Sequence, residues 1–435
     1  MKRTVSAPSR QAVIEEIRRV SNKLDQEQDL RPLAEAAGSS KIALLGEASH
    51  GTSEFYTYRT SLSKLLIAEH GFTFIAVEGD WPSCYEVNKY VKHAPDAKAS
   101  IEEVLQSFDR WPTWMWSNAE TRDLVAWLRE YNRELPEEKR VGFYGLDVYS
   151  LWESMDEIIK HLKKTNSPEL PAALKAFACF EPHGREGQNY GMTAAFFSET
   201  CQDEVMQLLA QLEAKRKDST NGSVDVGSGK HESLLNDEIN GLVAVNAERY
   251  YESMVKGGPE SWNIRDRHMV EALHRVMNFY GSEAKAIVWE HNTHIGDARA
   301  TDMLADEMVN VGQLVREQAQ QTDDVFIIGA GTYRGTVIAA NAWESKLEAM
   351  RVPPAMKGSW EELMHEAGAH DQWLIFKGAD SPLFHDTYGH RAIGVVYHPH
   401  YERGNYVPSV MAERYDAFVF INESHALTPL ELALV

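Results

Sequence analysis

Short apolar runs alternate with amphipathic stretches along the first third of the chain, the pattern of strands and helices in a parallel α/β sheet. Gln11–Leu24 carries Val13, Ile14, Ile17, Val20 and Leu24 at helical spacing. Ile42, Ala43, Leu44 and Leu45 form a buried strand that breaks at Gly46. The polar entry Thr52-Ser53-Glu54 opens a helix reaching about His70, where Gly71 ends it. Phe72–Val77 is the second strand and finishes on Glu78-Gly79-Asp80. A strand–helix–strand unit of this length suits a right-handed parallel crossover. Pro82–Glu134 is helical around an interruption at Arg110–Trp116, and Arg140–Leu146 is the third strand, closed by Asp147.

From Leu151 to Gly281 no strand pattern occurs. Helices are predicted over Thr193–Lys215, His231–Lys256 and Trp262–Tyr280, with the polar stretch Asp218–Gly229 as a mobile loop. Strands resume at Ala284–Trp289, Val325–Ile328, Trp373–Phe376, Ala392–Tyr397 and Ala417–Ile421, with a helix over Asp297–Arg316. The predicted fold class is α/β, a central, mostly parallel sheet flanked by helices and carrying a large helical insertion. Residues 1–150 and 284–435 form the two parts of the core, and 151–283 the insertion, which caps one edge of the sheet.

Composition narrows the function. With 435 residues, 43% of them hydrophobic, the chain is long enough to bury a large core without staples. Lys and Arg total 44 against 65 Asp and Glu, and a net charge of −21 argues against nucleic acid or an anionic membrane as partner. No run approaches the ~18 apolar residues of a membrane span. Cys84, Cys179 and Cys201 show neither a disulfide framework nor a zinc spacing, so a cytoplasmic protein is expected.

The first four strands all end on ionisable residues: Glu47 and His50, Glu78, Asp147, then Glu290 and His291. In a parallel sheet these ends share one edge, where open α/β folds build their sites. Glu47 and His50 also precede a helix N-terminus, whose dipole disfavours imidazolium and favours a neutral, proton-accepting His50. Trp111, Trp114 and Trp116 are candidates to wall a pocket for an apolar ligand, although tryptophan also simply fills cores.

Three tempting motifs fall short. Glu47-Ala48-Ser49-His50-Gly51 resembles a nucleophile elbow, but glutamate stands where the tight turn wants glycine, so Ser49 is a supporting hydroxyl. His365 and His370 imitate a zincin helix, yet their spacing points them about 140° apart, and the segment is expected at the surface. Gly329-Ala330-Gly331 with Gly335 places its third glycine one position late for a dinucleotide loop.

His291-Asn292-Thr293-His294 follows Glu290 on a strand expected beside the one that ends at Glu47. Two chemistries fit. Glu47, His50, Glu78 and His291, with His294 nearby, offer nitrogen and oxygen ligands for a divalent metal. Alternatively the histidines supply the base, acid and oxyanion donor of a hydrolysis that needs no cofactor.

At these residues the sequence resembles the erythromycin esterase family. The resemblance runs from Ile42 to about Pro429 and rests on G-E-x-x-H-G at Gly46–Gly51, Arg59, V-E-G-D at Val77–Asp80 and Gly145-Leu146-Asp147. It continues through Asn263-Ile264-Arg265-Asp266, W-E-H-N-x-H at Trp289–His294, and the ending from Tyr406 through Asp416 to Glu423. It implies esterase-type hydrolysis in a deep cleft of a small-molecule ester or lactone, macrolides and hence antibiotic resistance included. It also carries Glu47, His50, Arg59, Glu78, His291 and His294 over as the functional residues.

The expected mechanism has His50 take a proton from water, with Glu47 or Glu78 fixing its tautomer. His291, His294 and Arg59 polarise the carbonyl, and Asp147, Glu290, Asn292 and the three tryptophans support or line the site. The alternatives are a divalent-metal hydrolase built on the same residues and a ligand-binding relative without turnover.

Overall fold

The strand pattern extends into a nine-stranded sheet. The computed structural model describes residues 10–197, 200–220, 229–379 and 381–430. In chain order the strands are β1 (Asn22–Lys23), β2 (Ile42–Leu45), β3 (Phe74–Asp80), β4 (Gly142–Asp147), β5 (Ala286–Trp289) and β6 (Val325–Ala340). They are followed by β7 (Leu347–Val352), β8 (Gln372–Ile375), β9 (Thr387–Arg391), β10 (Tyr406–Val410) and β11 (Ala417–Ser424). Their order across the sheet is β1-β8-β11-β6-β2-β5-β3-β4, with β7 pairing on the far end of β6. The run from β11 to β4 is parallel, whereas β8, β1 and β7 are antiparallel additions.

Alternation along each strand splits the core into two layers. Ala43, Leu45, Ile75, Val77, Phe143 and Ile287 pack on one face with helices Ser53–His70 and Ala119–Arg133. Ile42, Leu44, Phe74, Ala76, Tyr144 and Val288 pack on the other with helices Arg10–Val20, Glu260–Tyr280 and Trp360–Ala367. Burying each large side chain of this set stabilises the fold by about 1.5–3 kcal/mol relative to exposure.

Among the described residues six α-helices, from Leu151–Lys164 to Glu260–Tyr280, connect β4 to β5. The first five share a core of their own around Leu151, Met155, Phe180, Tyr190 and Leu208. The insertion is bolted to the sheet by buried polar contacts: Lys92 Nζ lies 2.7 Å from Glu232 Oε1, and Trp81 Nε1–H donates to Asn236 Oδ1 at 2.9 Å. The helices flanking the expected polar loop end at Thr220 and restart at Gly229, and the rest of that stretch lies outside the described residues.

Several expectations are corrected. Cys179 and Cys201 form a disulfide inside the insertion, their Cα atoms 5.9 Å apart. The helices around them bring the two together, which spacing alone does not reveal. Gly329-Ala330-Gly331 is no loop: β6 runs straight through it, because a Cβ at 329 would stand 2.7 Å from the Tyr415 ring and one at 331 2.8 Å from Phe418. The strand expected over Ala392–Tyr397 lies earlier, at β9, which pairs with β10 in a separate hairpin. Asp297–Arg316 begins with two short 3-10 turns, and its α-helix starts only at Val311, where the Asn310 side chain caps Gln313 N–H. The segment around His365 is not a surface one, since its helix buries Trp360, Glu361, Leu363 and Met364.

Candidate active site

The parallel register brings the four ionisable strand ends to one edge. β2 pairs with β5, and β5 with β3. Gly46 makes the close fit between the first two ends, since a Cβ there would lie 2.2 Å from Asn292 Oδ1.

His50 stands on the loop after β2, buried and lining a cleft of about 130 Å³. Its Nδ1–H donates to Glu47 Oε1 at 2.9 Å. Its Nε2 lies 4.0 Å from Glu78 Oε1, and its ring centroid 4.9 Å from that of His291. Burial opposes the imidazolium, but Glu78 and Glu47 outweigh both burial and Arg265, so the His50 pKa rises. The helix-dipole expectation is thus overridden by two carboxylates at closer range. Ser49 is buried and bonds Thr52 Oγ1, away from the cleft lining.

Arg59 does not reach the cleft. It is fully buried, with Nη2 2.5 Å from Glu47 Oε2 and its guanidinium between the rings of Tyr56 and Trp289 at 4.7 and 4.6 Å. The oxyanion role expected for it is therefore corrected to holding Glu47. The residue in the expected place is Arg265, on the helix Glu260–Tyr280, which lines the cleft. Its Nε and Nη2 grip Asp147 at 2.9 and 2.8 Å, Nη2 also donates to Glu78 Oε1 at 2.8 Å, and Nη1 donates to His294 Nε2 at 3.1 Å. Of the five guanidinium N–H groups, one on Nη1 keeps no partner among the described residues. The sequence signal was the N-I-R-D segment, but nothing in it told which way the arginine points.

Each remaining ring has a defined tautomer. His294 Nε2 accepts from Arg265, so its proton sits on Nδ1 and goes to Asp266, 3.0 Å away; Trp262 stacks on the ring. His291 Nδ1 accepts from Thr293 N–H at 3.3 Å, leaving the proton on Nε2, which makes no hydrogen bond of normal geometry. Burial and the neighbouring His50 push the His291 pKa well below the ordinary value, so the ring is neutral.

Glu78 accepts His291 N–H at 2.9 Å through Oε2. Burial opposes its charge, yet the Arg265 guanidinium at 2.8 Å and that N–H hold the carboxyl well below the usual range. Glu290 is the opposite case. It is buried with neither oxygen bonded, and burial together with Glu78 and Asp266 raises it well above the usual range. Asp147 serves as the clamp on Arg265, and Asn292 ties the turn after β5 to β6 through Ala330.

The aromatic expectation divides. Trp116 lines the cleft and donates Nε1–H to Glu78 O at 3.0 Å, but Trp114 is buried in the core. Trp111 packs against Trp343, 4.4 Å between centroids. Trp343, unanticipated from the sequence, lines the cleft mouth while 55% exposed.

Among the described residues no group of three or more His, Cys, Asp or Glu side chains is arranged to hold a metal. The donors that the metal alternative requires are committed: Glu47 to His50 and Arg59, Glu78 to Arg265 and His291 N–H, and His291 Nδ1 to Thr293.

Comparison with known proteins bears on the fold and the family. A solved Bacillus cereus protein superposes with a TM-score of 0.80 at 20% identity, over 98% of this chain and 100% of its own. A succinoglycan biosynthesis protein gives 0.78 at 18%, over 97% and 99%, and a mutant of erythromycin esterase EreC in its open conformation 0.63 at 15%, over 92% and 94%. These likenesses establish the α/β fold. "Erythromycin esterase type II" of Escherichia coli is 22% identical over 379 residues, 82% of this chain and 86% of that protein. The sequence profile described as erythromycin esterase matches residues 67–424, most of the chain, and the protein belongs to that family.

Proposed function

We propose that the protein hydrolyses a carboxylic ester or lactone by direct attack of water, with His50 as the general base. The observation that carries this reading is the pairing at His50: Glu47 holds Nδ1 at 2.9 Å, so Nε2 offers its lone pair on a residue lining the cleft. Water passes its proton to Nε2 as its oxygen attacks the ester carbon, and Glu47 and Glu78 stabilise the imidazolium. The free N–H of Arg265, a residue that lines the cleft, is the donor for the oxyanion, with the neutral ring of His291 beside that of His50. Collapse of the adduct breaks the bond to the alcohol oxygen, which takes the proton back from His50, leaving acid and alcohol. The scheme draws on no serine nucleophile and no cofactor.

The cleft, at about 130 Å³, is smaller than the ~300 Å³ at which pockets for drug-sized ligands begin. It therefore takes the reacting group, and a larger substrate lies across the rim at Trp343. The names of the relatives make a macrolactone the first large substrate to test.

The deciding assay measures turnover of an aryl acetate, a simple lactone and a macrolide by the wild type and by His50→Gln. Loss of the base lowers kcat at least ~10²-fold, the lower bound for general-base catalysis. Unchanged turnover by the variant, or none by the wild type on any of the three, overturns the reading.

A further inference from the structure

Asn292 sits between the two histidines of the turn after β5, and every polar group it owns is engaged. Its N–H donates to Glu47 O at 2.8 Å, and its carbonyl accepts from Arg414 Nη2 at 3.0 Å. Its amide donates to Ala330 O at 2.6 Å and accepts from Ala330 N–H at 3.2 Å. The same Nδ2 lies 3.2 Å from His390 Nε2. His390 Nδ1 in turn bonds Glu361 Oε1, which also accepts Arg391 N–H at 2.8 Å.

The direction of this chain is fixed. An amide nitrogen only donates, so His390 Nε2 must accept, and the ring proton sits on Nδ1 facing Glu361. Glu361, His390 and Asn292 are each no more than 1% exposed, and none lines the cleft. A carboxylate and an imidazole taken wholly out of water are costly to desolvate unless each meets a hydrogen-bond partner. Here they meet at Asn292, whose side chain ties the turn after β5 to β6 and whose backbone N–H ties it to the loop after β2.

We propose that His390 and Glu361 are positioning residues, acting through Asn292 to fix the turn that carries His291 and His294. The proposal rests on reading that turn as hydrolytic machinery. Without the acceptor at His390, the amide of Asn292 is free to rotate off Ala330. The ring of His291, whose centroid lies 4.9 Å from that of the base His50, then loses its fixed orientation.

The test compares His390→Leu, which removes the acceptor, with His390→Gln, whose side-chain oxygen restores one near Nε2. Steady-state kinetics of the full chain on an aryl ester is paired with 15N NMR of the histidine rings without substrate. H390L loses kcat on the order of 10- to 100-fold, as misplacement of about 1 Å does, with KM unchanged. H390Q, which restores the acceptor, stays closer to wild type than to H390L. In the spectra, His291 is a single Nε2–H tautomer in wild type and H390Q and a mixture in H390L. Any other combination overturns the proposal. If H390L does not fold, Asn292→Ala, which keeps the backbone bonds of residue 292, must show the same kcat loss and mixed tautomer. If the wild type turns over no ester, the hydrolytic reading fails, and the tautomer comparison still decides the positioning.

Discussion

Arg59 Nη2 lies 2.5 Å from Glu47 Oε2, the carboxylate oxygen that His50 does not use. The guanidinium and the imidazole thus share one buried carboxylate, and the orientation of His50 depends on a residue that never meets substrate. Arg59→Met leaves Glu47 without its guanidinium partner and with only His50 Nδ1–H, and breaking a buried pair in this way costs about 3–5 kcal/mol. Urea unfolding should register that loss, with a fall in kcat. The double variant Arg59→Met/Glu47→Gln, which strands no charge, should recover much of the stability and none of the activity. Equal recovery of both would separate Arg59 from the chemistry.

The base is active only when neutral. Because Glu78 and Glu47 raise the pKa of His50, kcat/KM should fall with decreasing pH through a value above the ~6.5 of a free histidine. Two variants displace this limb in opposite directions. Glu78→Gln removes an anion 4.0 Å from Nε2 and moves the limb to lower pH. Arg265→Gln removes the opposing cation and moves it to higher pH. A limb that stays put in both variants belongs to some other group.

Much of the fold is legible in the sequence. The apolar runs gave the order of strands, and polar residues at their ends marked one edge as the site. What the pattern lacked was direction. Arg59 and Arg265 are both arginines on helices beside the cleft, and only packing turns one toward Glu47 behind the base and the other toward Glu78 in front. Trp114 and Trp343 exchange expectations for the same reason: periodicity does not tell a core tryptophan from a rim one. The extension of β6 through two glycines was hidden because local preference read them as a turn, while Tyr415 and Phe418 of distant sequence required them in a strand.

Glu290 should be dispensable as an acid and costly as an anion. Both of its oxygens are buried without a partner, and its neighbours Glu78 and Asp266 repel a further charge. In the unfolded chain the carboxyl ionises near its ordinary value, and in the fold it does not. The unfolded state therefore gains on the native one as pH rises above about 4.3. Glu290→Gln, shaped like the protonated acid, should raise Tm, and by more at pH 8 than at pH 5, with kcat close to wild type. A lower Tm at pH 8 would mean that the carboxylate is ionised and paired.

His268 sets the opposite limit, on the acid side. The ring is buried, accepts from Asn246 Nδ2 at 3.0 Å, and is pushed down to about 4, chiefly by burial. As pH falls, the unfolded chain binds its proton near 6.5 while the folded ring stays neutral until about 4. Stability is thus full above the unfolded value and drains away between the two. At pH 5 this group alone accounts for a loss on the order of 2 kcal/mol. His268→Gln should flatten the decline in urea-unfolding free energy between pH 7 and pH 5 by a comparable amount. The side chain lines no part of the cleft, so turnover at pH 8 should not change. An unaltered acid slope would show that the ring takes its proton in the folded state, with the Asn246 amide presenting its oxygen to Nδ1–H.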